Sequence, residues 1–353
     1  MTIEPVDALR RIAFLLERSR AESRRVEAYR NAAKVLLPLG EEEVRRRAQD
    51  GTLTELSGIG PSTSAVIAQA VAGQVPDKLA ELEAAATGPL AEGGRELRAL
   101  LRGDLHTHSD WSDGGSPIEE MVASALELGH DYLALTDHSP RLTVAHGLTA
   151  ARLRRQLAVV DAVNAHVGDA FRLLKGIEVD ILDDGGLDQE PALLAELDVR
   201  VASVHSKLRM DKEAMTRRMV AAVRNPLTNV LGHCTGRRVM PRRGDRAARS
   251  GSAMRPESEF DAEAVFAACA ETGTAVEINS RPERQDPPGR LLRLAVDAGC
   301  LFALSTDAHA PGQLDFLDYG CERAERHGVP PERVVNTWPL ERLLAWADPD
   351  ASP

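Results

Sequence analysis

From residue 103 onward the chain alternates short apolar runs with longer amphipathic segments, and this alternation restricts its fold most strongly. The apolar runs lie at seven places: 104–106, 132–136, 173–179, 199–204, 229–231, 275–278 and 301–304. The amphipathic segments between them include 118–128, 151–166, 262–271 and 288–298. Strands that alternate with helices indicate a parallel sheet covered by helices. Seven such units predict an α/β barrel, whose chemistry would lie at the carboxyl ends of the strands.

The first strand ends in the letters GDLHTH, in which His106 and His108 alternate. Alternate side chains of a strand point to the same side, so both imidazoles are predicted to face one metal ion. Asp113 follows in a turn rich in serine and glycine, where its carboxylate can fold back over the same site. A histidine pair at a strand end is often incidental, but the added carboxylate favours a metal site.

Further histidines and carboxylates fall at the later strand ends, namely His138, Glu178, His205, His233, Asp307 and His309. Taken singly, each has an ordinary explanation as a buried histidine or a helix-capping aspartate. Six histidines and three carboxylates at successive strand ends are better explained by a metal site. The other histidines lack this context and are predicted to be surface or helix residues: His130, His146, His166 and His327.

Residues 5–90 are predicted to be helical because apolar residues recur there at helical spacing. The letters GIGP at 58–61 precede a predicted helix that runs to about residue 72, which is the pattern of a helix-hairpin-helix. Exposed amides at such a helix start predict a site for a DNA phosphate. The residues predicted to form it are Gly58, Gly60, Ser62 and Thr63. The alternative is a plain glycine turn between packed helices.

The stretches VEAYRNAAKVL, GTLTELSGIGPSTSAVI and KLAELE resemble the small amino-terminal domain of family X DNA polymerases. That resemblance implies binding to the DNA backbone. In eukaryotic repair members of the family, a lysine forms a Schiff base with abasic sugar. The matching position here is Val66, so no lyase activity is expected. The nucleotidyl-transfer domain of that family does not follow along the chain, so no polymerase activity is expected.

The strand-end histidines and carboxylates resemble the signature of the polymerase and histidinol phosphatase (PHP) family over residues 103–345. The stretches AVEINSRPERQDPP, FALSTDAHAPGQLDFLDYG and VVNTWPLERLLAW resemble the carboxyl-terminal domain of bacterial family X polymerases in particular. The resemblance implies a distorted seven-stranded (β/α) barrel, here preceded by a small all-α domain, with up to three metal ions. It implies one ion held by His106, His108, Glu178 and Asp307, a second by Glu178, His205 and His233, and a third by Asp113, His138 and His309.

Imidazole and carboxylate ligands suit Zn, Mn or Fe, so two to three divalent ions of these metals are the expected cofactors. Paired ions activate water and stabilise a phosphoryl displacement. Three cations near the motifs either contact phosphate oxygens or form surface salt bridges: Lys207, Arg237 and Arg284. The segment 237–255 holds seven arginines, and it either tracks a nucleic-acid backbone or forms a solvated, disordered loop.

The net charge of −11 argues against a protein held on nucleic acid by bulk charge alone. Hydrophobic residues make up 43% of the chain, which is ample for a core. The cysteines lack CxxC spacing and are expected to be reduced thiols of a cytoplasmic protein: Cys234, Cys269, Cys300 and Cys321. No apolar stretch reaches the ~20 residues that a membrane span needs.

These features predict a helix-hairpin-helix domain at 1–90, a linker at 91–102, a PHP metallo-phosphoesterase domain at 103–346 and a disordered tail at 347–353. The expected function is metal-dependent hydrolysis of DNA, as a 3′-5′ exonuclease or in 3′-end processing during repair. The expected partner is the DNA phosphate backbone, with no membrane and no identified protein partner. A small-molecule phosphomonoesterase of the histidinol phosphatase type would leave residues 1–90 without a role. A non-catalytic DNA-binding protein would leave the ligand set without one.

Overall fold

A computed structural model describes residues 3–240 and 254–350 of the chain. The chain divides into two compact units, which meet in sequence at Pro89 and Leu90. The first unit is helical, and the second contains all seven β-strands found among the described residues. In that part of the chain no helix is long and apolar enough to cross a membrane.

Within the residues that the structure describes, the first unit consists of five helices and a short 3-10 turn. The helices are α1 (Pro5–Arg18), α2 (Ser23–Leu36), α3 (Glu41–Asp50), α4 (Pro61–Val71) and α5 (Asp77–Ala85), with the 3-10 turn at Leu53–Glu55. Leu9, Ile12 and Leu16 share one face of α1 and are almost completely buried, as the apolar spacing predicts. A buried ion pair joins α1 to α2, because the guanidinium of Arg30 donates to Glu17 Oε1 at 2.6 Å. The predicted helical character of this region is confirmed.

Of the two glycines in the turn before α4, one has a backbone conformation that requires glycine and the other does not. Gly58 has a φ of +96°, which side chains rarely adopt, and a methyl group there would meet Val35 Cγ2 at 3.2 Å. Gly60 has an ordinary φ of −97°, and no atom lies within 4 Å of where its Cβ would be. Only Gly58 is therefore required for the turn itself, while Gly60 leaves open space in front of the start of α4.

The second unit is built on seven parallel strands. They are β1 (Gly103–Thr107), β2 (Tyr132–Leu135), β3 (Arg172–Asp180), β4 (Val199–Ser203), β5 (Val230–Leu231), β6 (Ala275–Asn279) and β7 (Phe302–Ser305). They lie side by side in chain order, and every neighbouring pair is parallel. Thr107 also forms a parallel bridge with Ala308, and the amide of His108 donates to the carbonyl of Ala308 at 2.8 Å. The sheet thus curls until its ends meet, which confirms the predicted α/β barrel.

Helices cover the outside of the strands, as the alternating sequence pattern predicts. They are α6 (Arg95–Leu100), α7 (Ile118–Glu127), α8 (Ala150–Val167), α9 (Pro191–Ala195), α10 (Lys212–Val223), α11 (Ala262–Thr272), α12 (Gly289–Asp297), α13 (Leu317–Arg326) and α14 (Leu340–Ala347). Asp211 and Asp261 cap α10 and α11 by accepting the amides of Ala214 and Ala264 at 2.9 and 3.1 Å. These caps fix where the chain turns from each strand end into its helix.

The segment 91–102, predicted as a linker, contains the helix α6 within the second unit. The amide of Leu90 donates to Asp318 Oδ2 at 2.7 Å, and the amide of Gly94 donates to Glu325 Oε2 at 2.6 Å. Leu97 on α6 is buried in the same core as the barrel helices. Because this apolar side chain and these amides find partners in the second unit, the segment is ordered structure. The predicted tail starts where α14 ends, and its residues 351–353 lie outside the described range.

The structure contradicts the prediction for His130 and leaves the prediction for the arginine-rich segment untested. His130 is neither on the surface nor in a helix: it follows α7 and is buried, because the turn into β2 carries it into the interior. Of the arginine-rich segment 237–255, the residues 241–253 lie outside the described part of the chain. Its described ends are paired, since Arg238 and Arg255 exchange backbone hydrogen bonds of 2.8 and 2.9 Å.

Candidate metal centre

The predicted ligands all lie at the carboxyl ends of the barrel strands or in the loops that follow them. His106 is in β1 and Glu178 is in β3, while the others lie one to six residues beyond the end of a strand: His108, Asp113, His138, His205, His233, Asp307 and His309. Most are buried, and Asp113 keeps the most exposed side chain, at 32%. Because parallel strands end at the same edge of a barrel, side chains far apart in sequence meet there.

Glu178 is the centre of this cluster. Its fully buried carboxylate lies within 3.5 Å of a ring nitrogen of each of five histidines, at the following distances. Oε2 is 3.2 Å from His106 Nε2, 3.5 Å from His108 Nε2 and 2.9 Å from His138 Nδ1, and Oε1 is 3.2 Å from His205 Nε2 and 2.9 Å from His233 Nε2. One carboxylate that reaches five imidazoles suits a bridging ligand between ions.

Three groups of side chains place possible ligand atoms within 4.8 Å of one another. They are His108, Asp113, His138 and His309; His106, His108 and Asp307; and His138, Glu178 and His205. All nine predicted ligands are therefore brought together, with His233 joined through Glu178. The grouping differs from the one that the resemblance implies, because His108 and His138 each belong to two groups. Metal binding by these residues stays a prediction.

The unsatisfied polar atoms of the cluster fit bound metal. Within the described residues, several buried ligand atoms make no hydrogen bond: His106 Nε2, His108 Nδ1 and Nε2, His138 Nδ1, both carboxylate oxygens of Glu178, and His233 Nδ1 and Nε2. Buried polar atoms normally have partners, because an orphaned one costs about 1–3 kcal/mol. A mixed imidazole and carboxylate set that lacks partners is what Zn, Mn or Fe would complete.

The electrostatics of the cluster keep its carboxylates ionised. Although burial opposes it, the histidines around Glu178 hold the pKa of that carboxyl well below its usual range. Burial and neighbouring histidines lower the pKa of His108 well below its usual value. The pKa of His205 is raised to about 9, since Glu178 and Asp180 outweigh its burial. Cations would therefore have to displace protons from some of these imidazoles.

Three buried carboxylates behind the ligands were not predicted from the sequence. Glu277 in β6 accepts from His106 Nδ1 at 2.6 Å, and Asp180 at the end of β3 lies 2.5 Å from His205 Nδ1. Asp137 accepts the amide of Ser109 at 2.9 Å and so holds the turn that carries Asp113. The alternation of Glu178 and Asp180 along one strand is a signal that would have found Asp180. No sequence pattern predicts the role of Glu277, because its strand β6 supplies none of the predicted ligands.

The three predicted phosphate-binding cations have different surroundings. Arg284 is buried beside the centre, where its Nε forms an ion pair with Asp307 Oδ2 at 2.9 Å and its Nη1 has no hydrogen-bond partner among the described residues. Arg237 donates to the carbonyl of Arg284 at 3.1 Å and contacts Glu257, so it supports the loop after β6. Lys207 is paired with Asp183 at 2.5 Å and is exposed. Of the three, Arg284 is the one that contacts a predicted ligand and keeps an unpartnered donor.

Sequence reasoning missed Arg281, which supports two of the predicted ligands. Its Nη1 donates to the backbone carbonyl of Asp307 at 2.7 Å and lies 2.9 Å from His309 Nδ1. Asp307 has a φ of +53°, a conformation that side chains rarely adopt. Arg281 and Arg284 together hold this residue in that conformation from its backbone and from its carboxylate.

The predicted phosphate-binding residues of the first unit lie at the start of α4. Ser62 is exposed, whereas Thr63 is buried and already engaged, accepting the amide of Gly60 at 3.0 Å and donating to its carbonyl at 3.1 Å. Thr63 therefore shapes the turn and occupies the amide of Gly60, so the amide of Ser62 is the one left at the start of α4. Val66 is buried inside the unit, so no amine stands at the position of the lyase lysine.

Comparison with known proteins identifies both regions. A family model described as "PHP domain" matches residues 104–281, and one described as "Helix-hairpin-helix domain" matches residues 3–75. The chain is 36% identical over 246 residues to the "DNA polymerase/3'-5' exonuclease PolX" of Bacillus subtilis (strain 168). That match covers 70% of this chain and 41% of the relative, so the chain spans well under half of that relative's length.

Shorter relatives match as well. The chain is 26% identical over 246 residues to a probable phosphatase of Thermoanaerobacter sp. (strain X514), covering 66% of this chain and 89% of the relative. It is 28% identical over 252 residues to the probable phosphatase YcdX of Escherichia coli (strain K12 / DH10B), covering 68% and 91%.

Among solved structures, the histidinol phosphate phosphatase of Lactococcus lactis, in complex with Zn, L-histidinol and phosphate, matches at 18% identity. The match covers 64% of this chain and 94% of that one, with a TM-score of 0.42, which is too low to bear on chemistry. The family model, in contrast, covers half of the chain, and its match contains the first seven of the nine predicted ligands in sequence order. The chain therefore belongs to the PHP domain family and carries a helix-hairpin-helix domain in its amino-terminal region.

Proposed function

We propose that this protein is a metal-dependent DNA phosphoesterase, which acts as a 3′-5′ exonuclease or processes 3′ ends during repair. The observation that carries the proposal is the carboxylate of Glu178 inside a ring of five imidazoles. Two to three ions of Zn, Mn or Fe would complete the unpartnered atoms of this cluster. When bound, such ions supply Lewis acidity and an activated water for attack on phosphorus.

The chain's own residues have separable tasks around that centre. Glu178 would bridge two ion positions, because its two oxygens face different sets of histidines. Asp307 would serve as a ligand held in place by Arg281 and Arg284. The unpartnered Nη1 of Arg284 would then donate to a phosphate oxygen of the substrate. Lys207 and Arg237 take no part in this proposal, because both already have partners.

DNA is the proposed substrate because of the first unit. Its helix-hairpin-helix match, the open space in front of Gly60 and the exposed Ser62 at the start of α4 suit a phosphodiester backbone, which is recognised without reading bases. The similarity to PolX, whose name includes a 3'-5' exonuclease, supports the same substrate and the same polarity.

A small-molecule phosphomonoesterase is the second candidate. The observation that favours it is the extent of the matches to the probable phosphatases, which cover 89–91% of those proteins while leaving about a third of this chain unmatched. Those relatives therefore correspond in length to the barrel alone. The two functions differ in whether the first unit is needed.

The deciding experiment is a comparison of substrates. We would assay metal-loaded protein on an oligonucleotide labelled at its 5′ end and on histidinol phosphate, with Mn or Zn added in turn. A ladder that shortens from the 3′ end supports the proposed function. Release of phosphate from histidinol phosphate, with the oligonucleotide left intact, would replace it with the phosphomonoesterase.

Replacement of Gly60 by valine is expected to weaken DNA binding about tenfold without changing the melting temperature. Its backbone φ is ordinary and its Cβ would meet nothing, so the fold tolerates the side chain. The side chain would nevertheless stand where a phosphate approaches the amides of α4. Fluorescence anisotropy on a short duplex, repeated at several salt concentrations, measures the loss.

Gly40→Val is the matched control, because Gly40 also precedes a helix, has a φ of −65° and leaves open space at its Cβ. It should bind DNA as wild type does. If both variants weaken binding equally, the effect is not specific to α4. Gly58 is unsuitable for this test, because its positive φ and its contact with Val35 make substitution a test of folding instead.

Replacement of Arg284 by methionine is expected to raise the KM for DNA by about tenfold to a hundredfold. A hydrogen bond from a charged group is worth about 1.5–3 kcal/mol, and methionine retains much of the buried volume. Steady-state kinetics on a short oligonucleotide measure the change, with metal content determined on the same samples. Lys207→Met is the contrast, since Lys207 is exposed and paired with Asp183. An unchanged KM at full metal content would limit Arg284 to supporting Asp307.

A further inference from the structure

Glu277 lies on β6, the strand that supplies none of the predicted ligands, yet its carboxylate contacts two of them. Its Oε1 is 2.6 Å from His106 Nδ1, and its Oε2 accepts the backbone amide of His233 at 2.5 Å. The side chain is completely buried, and Asn279 also donates to its Oε2 at 3.2 Å. One carboxylate thus joins the end of β1 to the loop that follows β5.

The contact with His106 selects which ring nitrogen is free. A carboxylate can only accept, so the hydrogen bond to Glu277 places the proton of a neutral imidazole on Nδ1. The lone pair of Nε2 then points toward Glu178, whose Oε2 is 3.2 Å away. Nε2 has no hydrogen bond among the described residues, so it is the atom available to an ion.

The contact with His233 acts through the backbone. Because Glu277 holds the amide of His233, it fixes where the chain runs after β5, whatever the ring itself does. The ring then reaches the other oxygen of the bridging carboxylate, with Nε2 at 2.9 Å from Glu178 Oε1. His106 and His233 thus face different oxygens of Glu178 while resting on the same residue behind them.

We propose that Glu277 is a positioning residue that sets the affinity of two ion positions at once, the one next to His106 and the one next to His233. The inference rests on the proposed metal centre. Asp180 offers an internal comparison, because it contacts one imidazole of the cluster, that of His205, at 2.5 Å. Carboxylates behind metal-bound histidines typically change metal affinity about 10- to 100-fold. Glu277 should affect two binding steps and Asp180 one.

The test is a stepwise titration of the full-length, metal-free chain with Co²⁺. Calorimetry measures the affinity of each binding step, and visible ligand-field absorption reports the surroundings of the bound ions. Glu277→Gln keeps the side-chain shape but replaces one of the two accepting oxygens by an NH2 group, which only donates, so the two ends of the side chain cannot accept from both His106 and His233. We expect E277Q to weaken two binding steps by about 10- to 100-fold each and to shift the Co²⁺ spectrum. We expect D180N to weaken one step.

A purely structural role would lower the melting temperature of metal-free E277Q and leave the stepwise affinities and the spectrum unchanged, which would overturn the inference. Weakening of only one binding step in E277Q, as expected for D180N, would also overturn the inference. If E277Q does not fold, Glu277→Asp takes its place, because aspartate retains the charge but is too short to reach both partners. Wild-type affinities for both binding steps in this variant would overturn the inference. Wild-type protein that binds no Co²⁺, Mn²⁺ or Zn²⁺ overturns the proposed function together with this inference.

Discussion

Replacement of Glu178 by glutamine is expected to lower the rate of DNA hydrolysis at least about a thousandfold, which corresponds to about 4 kcal/mol. The carboxylate lies within 3.5 Å of five histidines and is the residue that would serve two ions. An amide carries no charge and offers one ligand oxygen, so both ions should be held more weakly. Elemental analysis should show that the variant retains at least one ion fewer per chain than wild type.

Glu190→Gln is the matched control for this change. The change is again from a carboxylate to an amide and lies in the same unit as Glu178. Glu190 is exposed, however, and forms an ion pair with Arg154 at 2.7 Å. Exposed pairs of this kind contribute about 0–1 kcal/mol, so activity and metal content should stay at wild-type levels. Wild-type metal content and activity in the Glu178 variant would contradict the bridging role and remove the main support for the proposed function.

Replacement of His130 by leucine is expected to make the protein more stable in acid. Burial, together with the charge of Arg98, lowers the pKa of His130 from 6.5 to about 3. Below pH 6.5 the unfolded chain binds a proton that the folded chain refuses, so wild-type stability falls as the pH falls toward 3. The loss is about 1.4 kcal/mol per pH unit, or about 2–3 kcal/mol by pH 4.5. Leucine cannot bind a proton, so the variant escapes this loss.

The measurement is the difference in unfolding free energy between variant and wild type at a series of pH values from 7.5 to 4.5. The variant should be at least as stable as wild type at pH 7.5, because both ring nitrogens of His130 lack hydrogen-bond partners among the described residues. His166→Leu on α8 is the control, since that side chain is exposed. Stability curves of the His130 variant and wild type that run parallel below pH 6.5 would contradict the prediction.

The strands, and the predicted ligands that the structure brings together at the strand ends, could be predicted because their signals are local. A strand of the barrel is a short apolar run, and each run ends in a polar residue within a few positions, as at His106 in β1 and Glu178 in β3. The helix-hairpin-helix was predictable for the same reason, since its glycines and its helix start are adjacent in sequence. The family resemblance then assigned the predicted ligands to three ion positions. In the structure, His108 and His138 each belong to two of the three groups of possible ligands.

The sequence by itself determined the order of strands and helices and the residues that meet at the strand ends, because hydrophobic period and strand direction act over neighbouring positions. Only the tertiary structure decided what lies behind them. Glu277 is separated from His106 by 171 residues, and their contact exists because the barrel brings β6 close to β1. The tertiary structure likewise decided the burial of His130, through the turn into β2, and the pairing of Arg284 with Asp307, through the adjacent strands β6 and β7. A contact between residues on different strands produces no periodic pattern in the sequence, because the contact forms only when the whole sheet closes into a barrel.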